Sequence, residues 1–257
     1  MIKKPEEIAM INEGGKKLSE ILDQLVAQAK PGVKTIELDQ LAEKLIIEAG
    51  GVPAFKNYRD RLSEPPFPST ICASVNNQLV HTPAGKYALK SGDILSIDIG
   101  MKYPASGRGY FTDMAVTIPI GEISPEAKKL IDVTRESFYA GLEKVKAGNH
   151  LSEVSRSIQN YIEKNGFSVV RQLVGHGVGY EVHEEPRVPN YVDPRQSDLV
   201  LEAGMVLAIE PMVNVGSYEI DTLDDGWTIV TADGKLCAHY EHTIVVTKDG
   251  AKILTKK

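Results

Sequence analysis

Apolar positions recur at helical spacing in two pairs of stretches, and short runs of alternating apolar and polar residues follow each pair. From residue 5 to 30, Ile8, Ile11, Leu18, Leu22 and Leu25 fall on one helical face. Pro31-Gly32 stops that helix, Thr35 is a candidate N-cap, and a second helix is expected from about residue 36 to Gly50-Gly51. Ser124-Pro125-Glu126 sets an N-cap, an N1 proline and an acidic first turn in order. That helix is expected to reach about Gly148, and a fourth to run from near Ser152 to Asn165-Gly166. The intervals agree, with Gly32 and Gly51 19 positions apart and Gly148 and Gly166 18 apart.

The strand-like runs agree too. Gly92-Asp93-Ile94-Leu95-Ser96-Ile97-Asp98 lies on Gly204-Met205-Val206-Leu207-Ala208-Ile209-Glu210, each a glycine, five residues and an acid. The chain therefore reads as two related halves, about 1–120 and 121–257, in one domain with a shared sheet system. Side chains alternate across a strand, so Asp98 shares a face with Ile94 and Ser96, while Leu95, Ile97 and Ile99 take the other. Glu210 shares a face with Val206 and Ala208. Asp113 is of opposite parity to Met114 and Val116, and Glu241 to Ile244 and Val246.

Any one of these acids alone reads as a solvated residue on an exposed sheet face. Four of them in matched halves of an apolar sheet read otherwise. If they converge, their repulsion must be offset by protons or cations, and divalent metals do this efficiently. A softer ligand is at hand in Gly175-His176-Gly177-Val178-Gly179-Tyr180-Glu181-Val182-His183-Glu184-Glu185-Pro186. Glycines on both sides of His176 let the backbone approach a ligand closely. The two histidines are seven apart with glycines between, which excludes a helical zinc motif.

Composition narrows the class. The 257 residues are 42% hydrophobic and 25% charged, enough for a sizeable core, and the net charge of −6 comes without a basic block. Direct binding to nucleic acid is therefore not expected. Two cysteines make no disulfide framework, no apolar run reaches the length of a membrane span, and Glu6, Glu7 and Glu13 stand where a signal peptide needs apolar residues. A cytoplasmic protein with no membrane contact is expected.

Taken in order, the motifs resemble the type I methionine aminopeptidases of the pita-bread family. They are Ser69-Thr70-Ile71-Cys72-Ala73-Ser74-Val75-Asn76 leading to His81; Asp98 and Asp113; Gly175-His176-Gly177; His183-Glu184-Glu185-Pro186; Ile209-Glu210-Pro211-Met212; and Tyr240-Glu241-His242-Thr243. The resemblance spans nearly the whole chain. It implies an α+β pita-bread (creatinase/aminopeptidase) fold, two pseudo-symmetric halves with a curved antiparallel sheet covered by helices. It implies two divalent ions, cobalt, manganese, iron or zinc, held by Asp98, Asp113, His176, Glu210 and Glu241, with Asp113 and Glu241 bridging. It also implies that His81 and His183 contact the substrate, and that Glu210 handles the proton of the attacking water. Tyr58, Phe67, Cys72, Met212 and Trp227 would line a methionine pocket. The expected partners are nascent polypeptide N-termini and the ribosome, met by a monomer.

The chain departs from that pattern in four places. The Asp98–Asp113 interval is 15, longer than usual, the extra residues falling at 103–109. A second extension covers 59–66. Thr82-Pro83 follows His81 where a glycine is usual, and Val182 stands where an aromatic is common. A proline-specific aminopeptidase shares the fold and ligands but usually carries a further N-terminal domain, and a non-catalytic pita-bread binding protein typically loses ligands. Among smaller signals, Cys72 also reads as a plain buried residue and Trp227 as hairpin packing or the pocket mouth. His242 is sent by parity away from Glu241, and His239 reads as structural or as part of the cleft rim.

Overall fold

Among the described residues four helices form, two in each half ahead of that half's sheet strands. In the computed structural model, which describes residues 2–59, 65–195 and 197–257, helix α1 (Pro5–Gln28) starts with Glu7 accepting the N–H of Lys4 at 2.8 Å. It buries Ile11, Leu18, Leu22 and Leu25, the face that the spacing predicts. Helix α2 (Thr35–Glu48) corrects one expectation. Its N-cap is Lys34, whose N–H donates to Glu37 at 2.7 Å, and not Thr35. The Thr35 hydroxyl is already committed, donating to the Gly85 carbonyl at 3.1 Å and accepting from its N–H at 2.9 Å.

Helix α3 (Pro125–Leu142) has the expected cap, with Ser124 Oγ accepting from the Ala127 N–H at 3.1 Å. It ends well before Gly148. The N–H groups of Ala147 and Gly148 donate instead to Thr247 and Leu201, at 3.1 and 2.8 Å, tying the segment to later strands. Helix α4 (Leu151–Lys164) buries Leu151, Val154, Ile158 and Ile162 on one side.

Among the described residues nine strands make the main sheet. In chain order they are β1 (Val52–Pro53), β2 (Ile71–Val75), β3 (Ile94–Tyr103), β4 (Tyr110–Pro119), β5 (Gly175–Gly177), β6 (Glu184–Val188), β7 (Val206–Ile209), β8 (Glu241–Val246) and β9 (Ala251–Ile253). Their order is β1-β3-β4-β8-β7-β5-β6, all antiparallel, with β2 also on β3 and β9 also on β8. The β4–β8 ladder joins the first half to the second. Leu95, Ile97, Ile99 and Met114 pack in one core with Leu18, Leu22, Leu38 and Ile46 of α1 and α2. Leu207, Ile209 and Ile244 pack in another with Leu130, Phe138, Val154 and Ile158 of α3 and α4. Each apolar parity thus goes under its own helical pair. No described helix is long and apolar enough to cross a membrane.

Helix α1 lies unusually close to the chain's C-terminal segment at Gly15. A Cβ there would come within 2.8 Å of the Leu254 carbonyl carbon and 3.2 Å of Thr255 Cγ2. Two effects compete in Gly15→Ala: alanine is the better helix former by about 1 kcal/mol, while overpacking against backbone costs about 1–3 kcal/mol. Backbone cannot rotate aside, so the clash wins. Gly15→Ala is expected to lower the urea midpoint at unchanged slope, and a stabilised variant would contradict this packing.

Candidate metal centre

Sheet register brings the acids together. Asp98 of β3 and Glu241 of β8 both pair with Ala115 of β4, which lies between them. Asp113 sits two residues along β4 on the same face, at the diagonal distance of about 7–8 Å between Cα atoms that long side chains span. In the second half His176 of β5 pairs with Ala208 of β7, and Glu210 follows two residues later. Ala115 and Ala208 are 1% and 0% exposed, so the centre of each constellation is occupied by a methyl group.

These acids are not solvated. Asp98, Asp113, Glu210 and Glu241 are 8%, 4%, 9% and 2% exposed. Burial followed by the neighbouring carboxylates pushes Asp113 and Glu241 far above the usual carboxylate range, and burial and Asp98 do the same to Glu210. Burial raises Asp98 to about 7. Asp98 Oδ1, Asp113 Oδ1 and Glu241 Oε1 have no hydrogen-bond partner. Buried acceptors of this kind are rare and demand protons or cations. Burial, then the nearby His183, lowers His176 to about 3, which keeps the ring neutral. Its Nδ1 is 2.9 Å from the Gly177 carbonyl, a donor bond that leaves the Nε2 lone pair 3.5 Å from Glu210 Oε1. That is how a metal-binding imidazole is commonly oriented. Two triads, Asp98/His239/Glu241 and Asp113/His176/Glu241, each offer ligand atoms within 4.8 Å of one another. An oxygen-rich donor set with imidazole suits divalent transition metals.

The same residues border a cavity of about 530 Å³. All twelve positions singled out from the sequence line it: the four acids, His81, His176 and His183, with Tyr58, Phe67, Cys72, Met212 and Trp227. His81 follows the short strand Gln78–Val80 at φ 57°, a left-handed conformation that non-glycine residues rarely adopt away from functional turns. His183 is exposed at the cleft, with its Nδ1 2.8 Å from Tyr58 Oη and its ring 4.5 Å from that of His176. Trp227 stands edge-on to Phe67 at 5.2 Å, and Cys72, paired across the ladder with Asp98, is both buried and in the wall.

Other findings refine the sequence reading. Phe55 also lines the cavity; it lies in an irregular stretch without periodicity, so the only signal was Gly100 inside a strand, where an added Cβ would meet Phe55 at 2.7 Å. Val182 is buried but does not line the cavity. The long 103–109 loop does not reach it either, since Arg108 stacks 4.2 Å over Tyr180 and sits 3.9 Å from Glu7. Of the 59–66 extension, residues 60–64 lie outside the described residues. His239 is not at the rim: it is 1% exposed, with Nε2 3.5 Å from Glu241 Oε2.

Buried carboxylates around a neutral imidazole, in a sheet folded from two matched halves, define a metallopeptidase site, and the chain belongs to metallopeptidase family M24, matching it over residues 9–248. Within that family it is 49% identical to the methionine aminopeptidase of Clostridium perfringens, over 99% of this chain and 98% of that protein. The crystal structure of the Thermotoga maritima methionine aminopeptidase superposes with a TM-score of 0.92 at 40% identity, covering 100% of this chain and 99% of that one. A prolidase from Pyrococcus furiosus shares the fold at a TM-score of 0.78 and 24% identity, and this chain covers 65% of it.

The hairpin carrying His183 is anchored from the N-terminus. Lys3 Nζ, fully buried, contacts Glu184 Oε2 at 2.6 Å and lies 4.0 Å over the Tyr180 ring. Burial pushes the Glu184 carboxyl up, but the Lys3 bond and the N–H groups of Glu181 and Tyr180 outweigh it, so its pKa falls below 4.5. A depressed acid contributes stability that is present above its unfolded pKa and lost as pH falls through the folded one. Lys3→Met should therefore cost about 2–3 kcal/mol at neutral pH, less than a fully enclosed pair because Glu184 is partly exposed. The difference from wild type should shrink below about pH 4.5. Urea unfolding at neutral and acidic pH measures both, and a pH-independent difference would contradict the ion pair's role.

Proposed function

We propose that this metallopeptidase removes the N-terminal methionine from new polypeptides whose second residue is small. The observation that carries the reading is a single cavity lined by four buried carboxylates, three imidazoles and an apolar, aromatic wall. Its full-length likeness to methionine aminopeptidases supports the same activity. We assign Asp98, Asp113, His176, Glu210 and Glu241 as the residues that would hold two divalent ions, cobalt, manganese, iron or zinc, Asp113 and Glu241 being the ones that would be shared. When bound, such ions polarise a carbonyl and acidify water. The unpartnered oxygens of Asp98, Asp113 and Glu241 support the fit.

The chain's own groups divide the remaining work. Glu210, at the metal-side wall beside His176, takes the proton of the attacking water and passes it on. His81 donates a hydrogen bond to the scissile amide, its position fixed by the left-handed backbone. His183, held by Tyr58 Oη, steadies the charge that develops on the carbonyl oxygen. Tyr58, Phe67, Cys72, Met212 and Trp227 receive the thioether, which is flexible, polarisable and favourable against aromatic edges. The same reading has the enzyme act in the cytoplasm as a monomer, on chains emerging from the ribosome.

Chelation is expected to abolish hydrolysis of Met-Ala-Ser, and added cobalt, manganese or iron to restore it. Asp113→Ala and Glu241→Ala should be the most damaging single changes, each removing a ligand from both ions. His81→Ala should keep its metal content and lose about 10²–10⁴-fold in kcat, the usual scale of proton-transfer assistance. His176→Ala should instead lose metal, and equal metal loss in both variants would refute that division of labour.

Apolar contacts discriminate only by about 1–3 kcal/mol per methylene, so norleucine should be cleaved appreciably. Branched leucine and acetylated methionine should not. Steady-state kcat/KM on the four tripeptides decides the matter; leucine cleaved as fast as methionine would reject the methionine assignment and leave the metallopeptidase intact.

A further inference from the structure

His239 has no role in the reading above, yet it occupies the interior of the site. It ends the strand Cys237–His239, two residues before Glu241 and of the same parity. The ring is 1% exposed, and neither Nδ1 nor Nε2 has a hydrogen-bond partner. Its Nε2 is 3.5 Å from Glu241 Oε2 and 3.8 Å from Glu210 Oε2. A charge-assisted bond from imidazole to carboxylate would be about 2.7–2.9 Å, so neither separation is such a bond. Two donors placed about 2.0–2.2 Å from one tetrahedral ion stand about 3.3–3.6 Å apart. The His239–Glu241 separation falls in that interval, and so does the 3.5 Å between His176 Nε2 and Glu210 Oε1.

The two candidate triads are matched. Asp113 and His176 converge with Glu241 on one side, and Asp98 and His239 converge with Glu241 on the other. We propose that His239 is a metal ligand: through Nε2 it completes, with Asp98 and Glu241, the site of the ion opposite His176. The proposal rests on the dinuclear reading and extends its ligand set. Without His239 the ion beside Asp98 would see only oxygen, a donor set that suits manganese or magnesium. With His239 each ion has one imidazole, and the Asp98 site turns toward iron, cobalt or zinc. A buried imidazole with two bare nitrogens also becomes comprehensible, because Nε2 then has its partner.

Metal-free protein labelled with ¹⁵N-histidine, titrated with Co(II) and followed by proton NMR in water, tests this directly. A cobalt-bound imidazole shows its remaining ring N–H far outside the diamagnetic range. Wild type should give two such signals at two equivalents of cobalt. His239→Gln should remove one and His176→Gln the other. Calorimetry should show His239→Gln weakening one of the two Co(II) equivalents on the order of 10–100-fold or more, since even partners outside the ligand shell are worth that much. Mn(II) should lose less. Two bound cobalt ions with a single shifted imidazole N–H, unchanged in His239→Gln, would overturn the assignment and leave the dinuclear reading standing. Absence of cobalt binding in wild type would overturn both. Should the variant fail to fold, the number of signals in wild type decides alone.

Discussion

The constraint on which the rest of the structure depends is the enclosure of four carboxylates in one cleft. Charged groups of one sign, taken out of water and set side by side, repel each other strongly, and their burial raises every one of their pKa values. No Lys or Arg side chain contributes an ion pair to Asp98, Asp113, Glu210 or Glu241 among the described residues. The polypeptide thus builds an anionic hole whose compensation has to come from outside the chain. That requirement fits the scaffold: Asp98, Asp113 and Glu241 lie in strands and Glu210 directly follows one, whereas an irregular loop would let the acids turn to water.

The arrangement comes from register more than from any motif. Ala115 lies between Asp98 and Glu241 and two residues from Asp113, and Ala208 lies opposite His176 and two residues from Glu210. A larger side chain at Ala208 would have to displace the Ile11, Val178 and Leu254 cluster that packs with it. Both alanines look unremarkable in the linear sequence. Their importance appears only when three strands are laid side by side.

This is also the line between what was legible and what was not. Parity along each strand separated Asp98 from Leu95 and Ile97, and Glu241 from Ile244, because the period of a strand is 2 whatever its neighbours do. The four helices were readable from spacing and from Pro125, but their ends were not. Thr35 lost its capping role to a contact 50 residues away, and α3 stopped early because Gly148 is bonded to Leu201. The interior position of His239 was not legible, and of its two readings the structure excludes only the cleft rim. Local sequence says only that it shares a parity with Glu241; that this edge folds inward beneath the Asp98 carboxylate depends on the Met212–Asn214 and Ser168–Val169 strands pairing beside it.

The N-terminal segment shows how the two halves are held at a fixed distance across the cleft. The β4–β8 ladder joins them along one line, and the short Gln78–Val80 strand pairs with Ile229–Thr231 along another. Ile2 pairs with Met205, the Lys3 N–H donates to Gly204 at 2.8 Å, and Lys3 Nζ reaches Glu184 beyond. These contacts fasten the start of α1, which packs on the first half, to strand ends of the second. Glu184 directly follows His183 in the chain, and His183 reaches across the cavity to Tyr58 of the first half. The halves are therefore fastened on both sides of the cavity. Opening the cleft about the β4–β8 ladder would have to break both the Gln78–Val80 pairing and the buried Lys3 pair, so the spacing between Asp98 on one half and Glu210 on the other is set before any ion or substrate arrives.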